Sequence, residues 1–230
     1  MEIEVIVQHA EDAKEAELLG ADRLELVSAI SEGGLTPSYG TIKQVLQQVN
    51  IPVQVMIRPH SNHFYYDEAD LAIILEDIKN VITLGGNRIV FGALNQDNTI
   101  NQQALNKIIE LAPQLDITFH RAFDQVVSQK DAYRTLVSYS DQVKRILTSG
   151  GAATCEQGKN ELKQLVKLAN ELNGPEILAG SGLDAINITE IHSYIGATQY
   201  HFGKAVREDS SLAKGFDDDS FLEIENILKG

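Results

Sequence analysis

Hydrophobic residues recur along the chain with two alternating periods. Short runs rich in β-branched residues, such as EIEVIVQ at residues 2–8, are typical of strands. Each run is followed by a segment with helical spacing, such as residues 67–85, in which Leu71, Ile74 and Ile78 share one face. The pattern predicts eight strand–helix units. The predicted strands lie in EIEVIVQ, RLELVSA, VQVMIRP, RIVFGAL, DITFHRA, KRILTSG, EILAGSG and QYHFGKA.

This alternation of strands and helices predicts the fold class. Parallel strands joined by crossover helices form α/β folds, and eight units in 230 residues fit a closed (β/α)₈ TIM barrel. An open doubly wound sheet is the alternative, but it would carry a glycine-rich phosphate turn after its first strand, and VIVQHAED contains no glycine. We therefore predict a TIM barrel and, since no linker or low-complexity segment interrupts the chain, a single domain over residues 1–230.

The composition excludes several classes of partner. The net charge is −14, whereas nucleic acids and anionic membranes attract clustered lysine and arginine, so we expect neither as a partner. Cys155 is the one cysteine, which rules out a disulfide within the chain. The first residues lack the basic start of a signal peptide, and no apolar run approaches the roughly 20 residues that span a bilayer. These features predict a cytoplasmic protein.

Strand periodicity also predicts which side chains point into the barrel. Side chains alternate across a strand, so in RLELV the leucines face the helices and Glu25 faces inward. The same reasoning places Arg58, His120 and His201 inside, at or near the C-terminal ends of three other strands. Barrel enzymes keep their active sites at that end, and burying lone charges is costly. We therefore predict a catalytic site with these four residues; the alternative is an ion network that only fills the barrel.

Residues in the loops after these strands are further candidates. The loop SAISEGGLTPS offers Ser28 and Glu32 beside two adjacent glycines, which suits a mobile loop that contacts substrate or, alternatively, a turn with solvated acids. Arg121 follows His120 directly and is a candidate for substrate binding. Asp124 is a catalytic candidate that could orient His120 or Arg121, or could cap the next helix.

Two glycine-rich segments, TSGG and GSG, follow the sixth and seventh strands. Small residues expose backbone N–H groups that can hold an anion, and barrels often bind phosphate in their late loops. The pattern predicts a substrate-binding site for a phosphate group, with simple tight turns as the alternative. The residues concerned are Ser149, Gly150, Gly151, Ser181 and Gly182.

Taken in order, the segments ELVSAISEGGLTPSYG, VMIRP, ILEDI, RIVFGAL, TFHRAFD, RILTSGG and GSG resemble the CutC family of copper homeostasis proteins over nearly the whole chain. The resemblance implies a cytoplasmic TIM barrel associated with copper tolerance or trafficking. The positions that match the family's shared motifs are Glu25, Ser28, Glu32, Arg58, His120, Arg121, Asp124 and His201.

The first functional hypothesis is a copper-binding or copper-trafficking protein, as the resemblance implies. Cu(I) prefers sulfur ligands, but the chain has one cysteine and two methionines, one of them the first residue. His120 and His201 are therefore the candidate metal ligands, with Cys155 or Met56 as possible additions. Copper is the one cofactor that this hypothesis names.

The second hypothesis is an enzyme, either a lyase, an isomerase or a hydrolase, that acts on a small phosphorylated or carboxylated metabolite and has an indirect link to copper. Arg58 would bind the anion, and His120 would act as general acid/base. The charges of Arg58 and Arg121 favour an anion over a cation. The sequence leaves both hypotheses open. We also expect a homo-oligomer, because related barrels commonly self-associate.

Overall fold

Eight parallel strands close into a barrel in the order in which they follow one another along the chain. The computed structural model describes all 230 residues. The first strand pairs with both the second and the eighth, so that Glu4 lies beside Arg23 on one side and His201 on the other. This closure confirms the predicted (β/α)₈ TIM barrel. The strands are β1 (Glu2–Val7), β2 (Arg23–Leu26), β3 (Val53–Met56), β4 (Arg88–Phe91), β5 (Asp116–Phe119), β6 (Val143–Thr148), β7 (Glu176–Gly180) and β8 (Gln199–Phe202).

A helix follows each strand, and polar side chains determine where several helices begin. Asp67 accepts hydrogen bonds from the N–H groups of Ala69 and Asp70 at the start of the third helix, and Ser38 and Ser128 cap the second and fifth helices similarly. No helix is both long enough and apolar enough to cross a membrane. The helices are α1 (Ala10–Leu18), α2 (Tyr39–Leu46), α3 (Glu68–Thr83), α4 (Gln102–Leu111), α5 (Gln129–Val137), α6 (Lys159–Leu172), α7 (Ile188–Ile195) and α8 (Asp218–Lys229).

Strand side chains alternate between the helices and the barrel interior, as the sequence pattern predicts. Outward-facing residues such as Leu24 and Phe119 are fully buried in the main core between strands and helices. A separate, small apolar group consists of Val27, Met56 and Val90. Much of the remaining interior is polar, in contrast to the branched aliphatic layers that fill most barrels of this type.

Charged side chains fill the interior near the N-terminal ends of the strands. Arg23 is buried, forms ion pairs with Glu4 and Glu2, and donates a hydrogen bond to Gln199 at 2.7 Å. A second network joins residues of β4, β5 and β6. These two networks occupy the N-terminal end of the barrel interior. The members of the second network are Arg88, Asp116 and Arg145.

Candidate functional site

A cavity of about 740 Å³ lies at the C-terminal ends of the strands. Its wall contains all four residues that the strand pattern placed inside the barrel, each at most 7% exposed. Three of the predicted loop residues, Arg121, Ser181 and Gly182, also line it. The fold therefore brings these candidates into one space. The four inward-facing residues are Glu25, Arg58, His120 and His201.

A chain of three buried side chains lies at this cavity. Nδ1 of His201 is 2.8 Å from a carboxylate oxygen of Glu4, and the opposite ring nitrogen, Nε2, lies 3.7 Å from a carboxylate oxygen of Glu25. Glu4 also pairs with Arg23 on its other side. The second oxygen of Glu25, Oε1, is buried and has no hydrogen-bond partner. Glu4 thus fixes the imidazole of His201 so that it faces Glu25, an arrangement suited to proton transfer.

Burial and the neighbouring charges control the protonation of this chain. Burial raises the pKa of Glu25 to about 7, with His201 opposing the shift and Glu4 adding to it. Burial acts on Glu4 as well, but Arg23 and His201 outweigh it and lower the pKa of Glu4. Burial lowers the pKa of His201, whereas Glu25 and Glu4 reverse that effect and raise it. Glu4 therefore stays ionised, Glu25 gains or loses its proton near neutral pH, and His201 keeps its proton to a higher pH than an ordinary imidazole.

His120 sits differently from the role that the sequence suggested. It begins a 3₁₀ turn after β5, and its Nδ1 accepts a hydrogen bond from the N–H of Ala122 at 3.1 Å. Burial, followed by the charge of Arg58, lowers the pKa of His120 to about 3. An imidazole with this pKa is neutral at physiological pH and is only a weak base.

Asp124 contacts Arg121 rather than His120. The Nε of Arg121 donates to the Asp124 carboxylate at 2.7 Å, and the backbone N–H groups of Ser149 and Gly151 donate to it at 3.2 and 3.0 Å. The N–H groups of the TSGG loop therefore bind the carboxylate of Asp124. The residues of this loop do not line the cavity. Of the two loops predicted to bind phosphate, the GSG loop alone borders the cavity.

The loop after β2 lies at the edge of the cavity. Gly33 lines the wall, while Glu32 is exposed and accepts a hydrogen bond from the hydroxyl of Ser61 at 2.9 Å. The hydroxyl of Ser28 donates to the backbone carbonyl of Thr36 at 2.9 Å and so stabilises the loop. The structure brings this loop to the site without placing Ser28 or Glu32 on the cavity wall.

Glu4 is the site residue missing from the sequence-based predictions. It lies in EIEVIVQ, where Ile3 and Val5 are fully buried in the main core. Side chains alternate across a strand, so these neighbours place Glu4 inside the barrel. The signal was therefore present in β1, of the same kind that located Glu25 in β2.

Comparison with known proteins identifies the family. The model of the CutC family matches residues 1–206. The chain belongs to the CutC family. A CutC family protein of Klebsiella pneumoniae is 40% identical over 192 residues, which cover 80% of this chain and 76% of that protein. The human copper homeostasis protein cutC homolog is 36% identical over 210 residues, which cover 91% of this chain and 76% of that protein.

Solved structures agree with the family and the fold. The crystal structure of a CutC protein from Streptococcus agalactiae is similar with a TM-score of 0.80 and 32% identity, and the match covers 88% of this chain and 98% of that one. Phosphoribosylanthranilate isomerase from Thermotoga maritima is similar with a TM-score of 0.65 and 16% identity, covering 100% and 99%. The second likeness shows the barrel fold alone.

The sulfur atoms of this CutC chain are poorly placed for Cu(I). Cys155 is fully buried away from the cavity wall, and burial raises the pKa of its thiol to about 12, so it offers no thiolate. Met56 supplies the one sulfur on the cavity wall. A different set of ligand atoms, from Glu4, Glu25 and His201, lies within 4.8 Å of one another. One imidazole and two carboxylates suit Cu(II) better than Cu(I).

Proposed function

We propose that this CutC-family protein is an enzyme that uses Glu25 and His201 as a general acid–base pair on a small anionic metabolite. The observation that supports this proposal is the buried order Glu4–His201–Glu25 beside a cavity of about 740 Å³. Proton transfer is most efficient when the pKa of the catalytic group lies near the working pH. The raised pKa of Glu25, about 7, meets that condition.

Each member of the chain has a separate role in this proposal. Glu4, held ionised by Arg23, orients His201 and stabilises its imidazolium form. Glu25 takes a proton from the substrate or returns one to it through Oε1, which has no partner within the protein. His201, 3.7 Å from the other oxygen of Glu25, stabilises the carboxylate after its proton leaves. These steps are compatible with lyase, isomerase and hydrolase chemistry.

The cavity favours a small, negatively charged substrate. Its volume lies within the range of about 300–1,000 Å³ that is usual for small-molecule sites. Arg58, which has no acidic partner, contributes to its wall, as does Arg121, which is paired with Asp124. The phosphorylated or carboxylated metabolites that the sequence suggested therefore remain the substrate class that we propose.

A proton-exchange screen tests this function. Wild-type protein is incubated in D₂O with phosphorylated and carboxylated metabolites, and NMR follows conversion or loss of substrate proton signals. We expect turnover of one compound class and a decrease of roughly 10²- to 10⁴-fold in Glu25→Gln, because a positioned acid/base contributes about that factor. Glu223→Gln, which changes an exposed acid at the cavity rim, is the matched control and should keep the wild-type rate. Equal rates in both variants would refute the assignment of Glu25.

Copper binding is the second candidate function, with copper handling in the cytoplasm as its cellular role. The observation that favours it is the cluster of ligand atoms from Glu4, Glu25 and His201, within 4.8 Å of one another. Two features weigh against it. Glu4 already pairs with Arg23, and the positive charge of that arginine repels a cation. We therefore rank copper binding below acid–base catalysis.

Titration of metal-stripped protein with Cu(II), followed by electron paramagnetic resonance, tests this candidate. If the cluster binds copper, wild-type protein shows a stoichiometric signal with nitrogen coupling, and His201→Phe loses it. His120→Phe and Cys155→Ala keep the signal, because neither residue belongs to the cluster. Tight binding that survives in His201→Phe rules out this site.

A further inference from the structure

Arg58 is a buried cation without an acidic partner. It is 7% exposed and lines the cavity. Its terminal nitrogens donate to the backbone carbonyls of Glu32 at 3.1 Å, Gly34 at 3.2 Å and Ser61 at 3.3 Å, and its Nε has no partner. Carbonyl groups satisfy hydrogen bonds but do not neutralise the charge. A buried charge is normally paired with an opposite one, so Arg58 lacks a counter-ion.

His120 supplies a second unused donor at the same cavity. Its Nδ1 accepts the N–H of Ala122, so in the neutral ring the proton is on Nε2. That Nε2 is buried and has no hydrogen-bond partner. The low pKa of His120, about 3, keeps the ring neutral. His120 is therefore a fixed, uncharged N–H donor rather than a group that exchanges protons.

The ring of Phe64 packs against both side chains. Its centroid lies 4.9 Å from the guanidinium carbon of Arg58 and 4.9 Å from the centroid of the His120 ring. Gly92, the residue directly after β4, packs against His120, and a Cβ added there would lie 2.5 Å from Nδ1. The imidazole is thus held on one side by backbone, while Phe64 of the β3–α3 loop packs against it from another.

We propose that Arg58 and His120 bind a carboxylate group of the substrate, and that the ring of Phe64 moves aside to admit it. This inference rests on the proposed function and names the substrate class within it, a small carboxylic acid. A carboxylate has two oxygens and one charge, which match one unneutralised guanidinium and one N–H donor. A phosphate dianion presents three oxygens and two charges, and two unused donors do not satisfy it.

The arrangement leaves the acid–base pair free for the reaction. Glu25 and His201 line the same cavity but share no hydrogen bond with Arg58 or His120. A substrate held by its carboxylate therefore keeps its remaining atoms available to Glu25. Arg58 and His120 act as binding groups. The substrate carboxylate accepts hydrogen bonds from Nε of Arg58 and Nε2 of His120, which have no partner within the protein.

Isothermal titration with acetate, malonate and succinate, at constant ionic strength, tests the carboxylate site, with inorganic phosphate as the competing anion. We expect at least one carboxylate to bind more tightly than phosphate. Its Kd should rise roughly 10- to 100-fold in His120→Phe and in Arg58→Lys, since each removes one hydrogen bond to a charged group. Lys204→Met is the matched control, because Lys204 is an exposed cation on the same wall. Equal losses in the control, or tighter binding of phosphate, would overturn the proposal.

A measurement on the unmodified protein guards against variants that fail to fold. The Nε2–H signal of His120, observed by ¹⁵N-edited NMR, should move when the carboxylate is added. If Arg58 only connects the two loops through its hydrogen bonds to their carbonyl groups, the His120 signal stays unchanged when carboxylate is added. The proposal would then be wrong. Phe64→Ala should speed carboxylate association by opening the site.

The outcome is separable from that of the proposed function. Carboxylate binding that persists in Glu25→Gln, together with absence of turnover in the metabolite screen, supports the binding site and rejects the acid–base pair. Turnover that depends on Glu25, together with a His120 signal that does not move when carboxylate is added, supports the acid–base pair and rejects the carboxylate site.

Discussion

At the scale of single residues, Glu25 links protonation to stability. Its pKa in the folded protein is about 7, above the ordinary value of 4.5. Between these values the folded state keeps a proton that the unfolded state has released. The contribution of Glu25 to the free energy of unfolding is therefore complete below about pH 4.5 and is lost as the pH rises through 7. The raised pKa of His201 acts in the same direction.

We predict that the stability advantage of wild-type protein over Glu25→Gln is greater at pH 5 than at pH 8. Glutamine has a similar shape but no proton to release, so it removes this pH-dependent contribution. Melting temperatures of both proteins, measured across that range, check the prediction. Glu223→Gln, which changes an exposed acid, is the control for the glutamine substitution itself. A difference for Glu25→Gln that does not vary with pH would mean that Glu25 titrates normally.

Asp124, a predicted catalytic residue, is held by hydrogen-bond donors of the protein itself. Its carboxylate receives hydrogen bonds from Arg121, Ser149 and Gly151. We predict that Asp124→Asn lowers the free energy of unfolding by about 3 kcal/mol, because hydrogen bonds to a charged group are worth roughly 1.5–3 kcal/mol each. Urea denaturation measures the loss. Asp131→Asn, which breaks an exposed pair with Arg134, should cost less than about 0.5 kcal/mol.

At the scale of elements, sequence periodicity was sufficient for the barrel and for two of the three residues in the buried chain of Glu4, His201 and Glu25. A period of two in the apolar residues predicts the eight strands. It also predicts that Glu25 and His201 point inward, because their apolar neighbours along each strand are buried against the helices. The same period in β1 points Glu4 inward. Two partners of Asp124, Ser149 and Gly151, do not follow from periodicity, because a loop 25 to 27 residues away along the chain supplies them. Periodicity also does not reveal that Arg58 lacks a counter-ion, because this depends on the absence of acidic side chains from its surroundings in the folded protein.

The end of β4 requires glycine for a reason that periodicity does not reveal. A Cβ at Gly92 would lie 2.5 Å from Nδ1 of His120 and 2.7 Å from Cε1 of that ring. We predict that Gly92→Ala displaces the imidazole, destabilises the protein by about 2 kcal/mol and weakens carboxylate binding. Chemical denaturation and the His120 NMR signal check both effects. Gly40→Ala in α2, where an added Cβ meets nothing closer than 3.9 Å, should leave both properties near wild type.

At the scale of the whole molecule, the two ends of the barrel depend on one another. Arg23 belongs to the charged network near the N-terminal ends of the strands, yet it pairs with Glu4, which orients His201 at the cavity. We predict that Arg23→Met costs about 3–5 kcal/mol, because it leaves Glu4 buried without its cation. The double variant Arg23→Met/Glu4→Gln should recover part of that loss. Urea denaturation of the single and double variants measures the coupling, and simple additivity would contradict it.

The pairing of β1 with β8 brings residues from the two ends of the sequence into one contact. Glu4 and His201 lie 197 positions apart along the chain and meet across the seam where the ring of strands closes. During synthesis, Glu4 and Glu25 leave the ribosome early, whereas His201 follows only with β8, the last strand of the barrel. The acid–base pair that we propose therefore cannot form before β8 has been made and the ring of strands has closed.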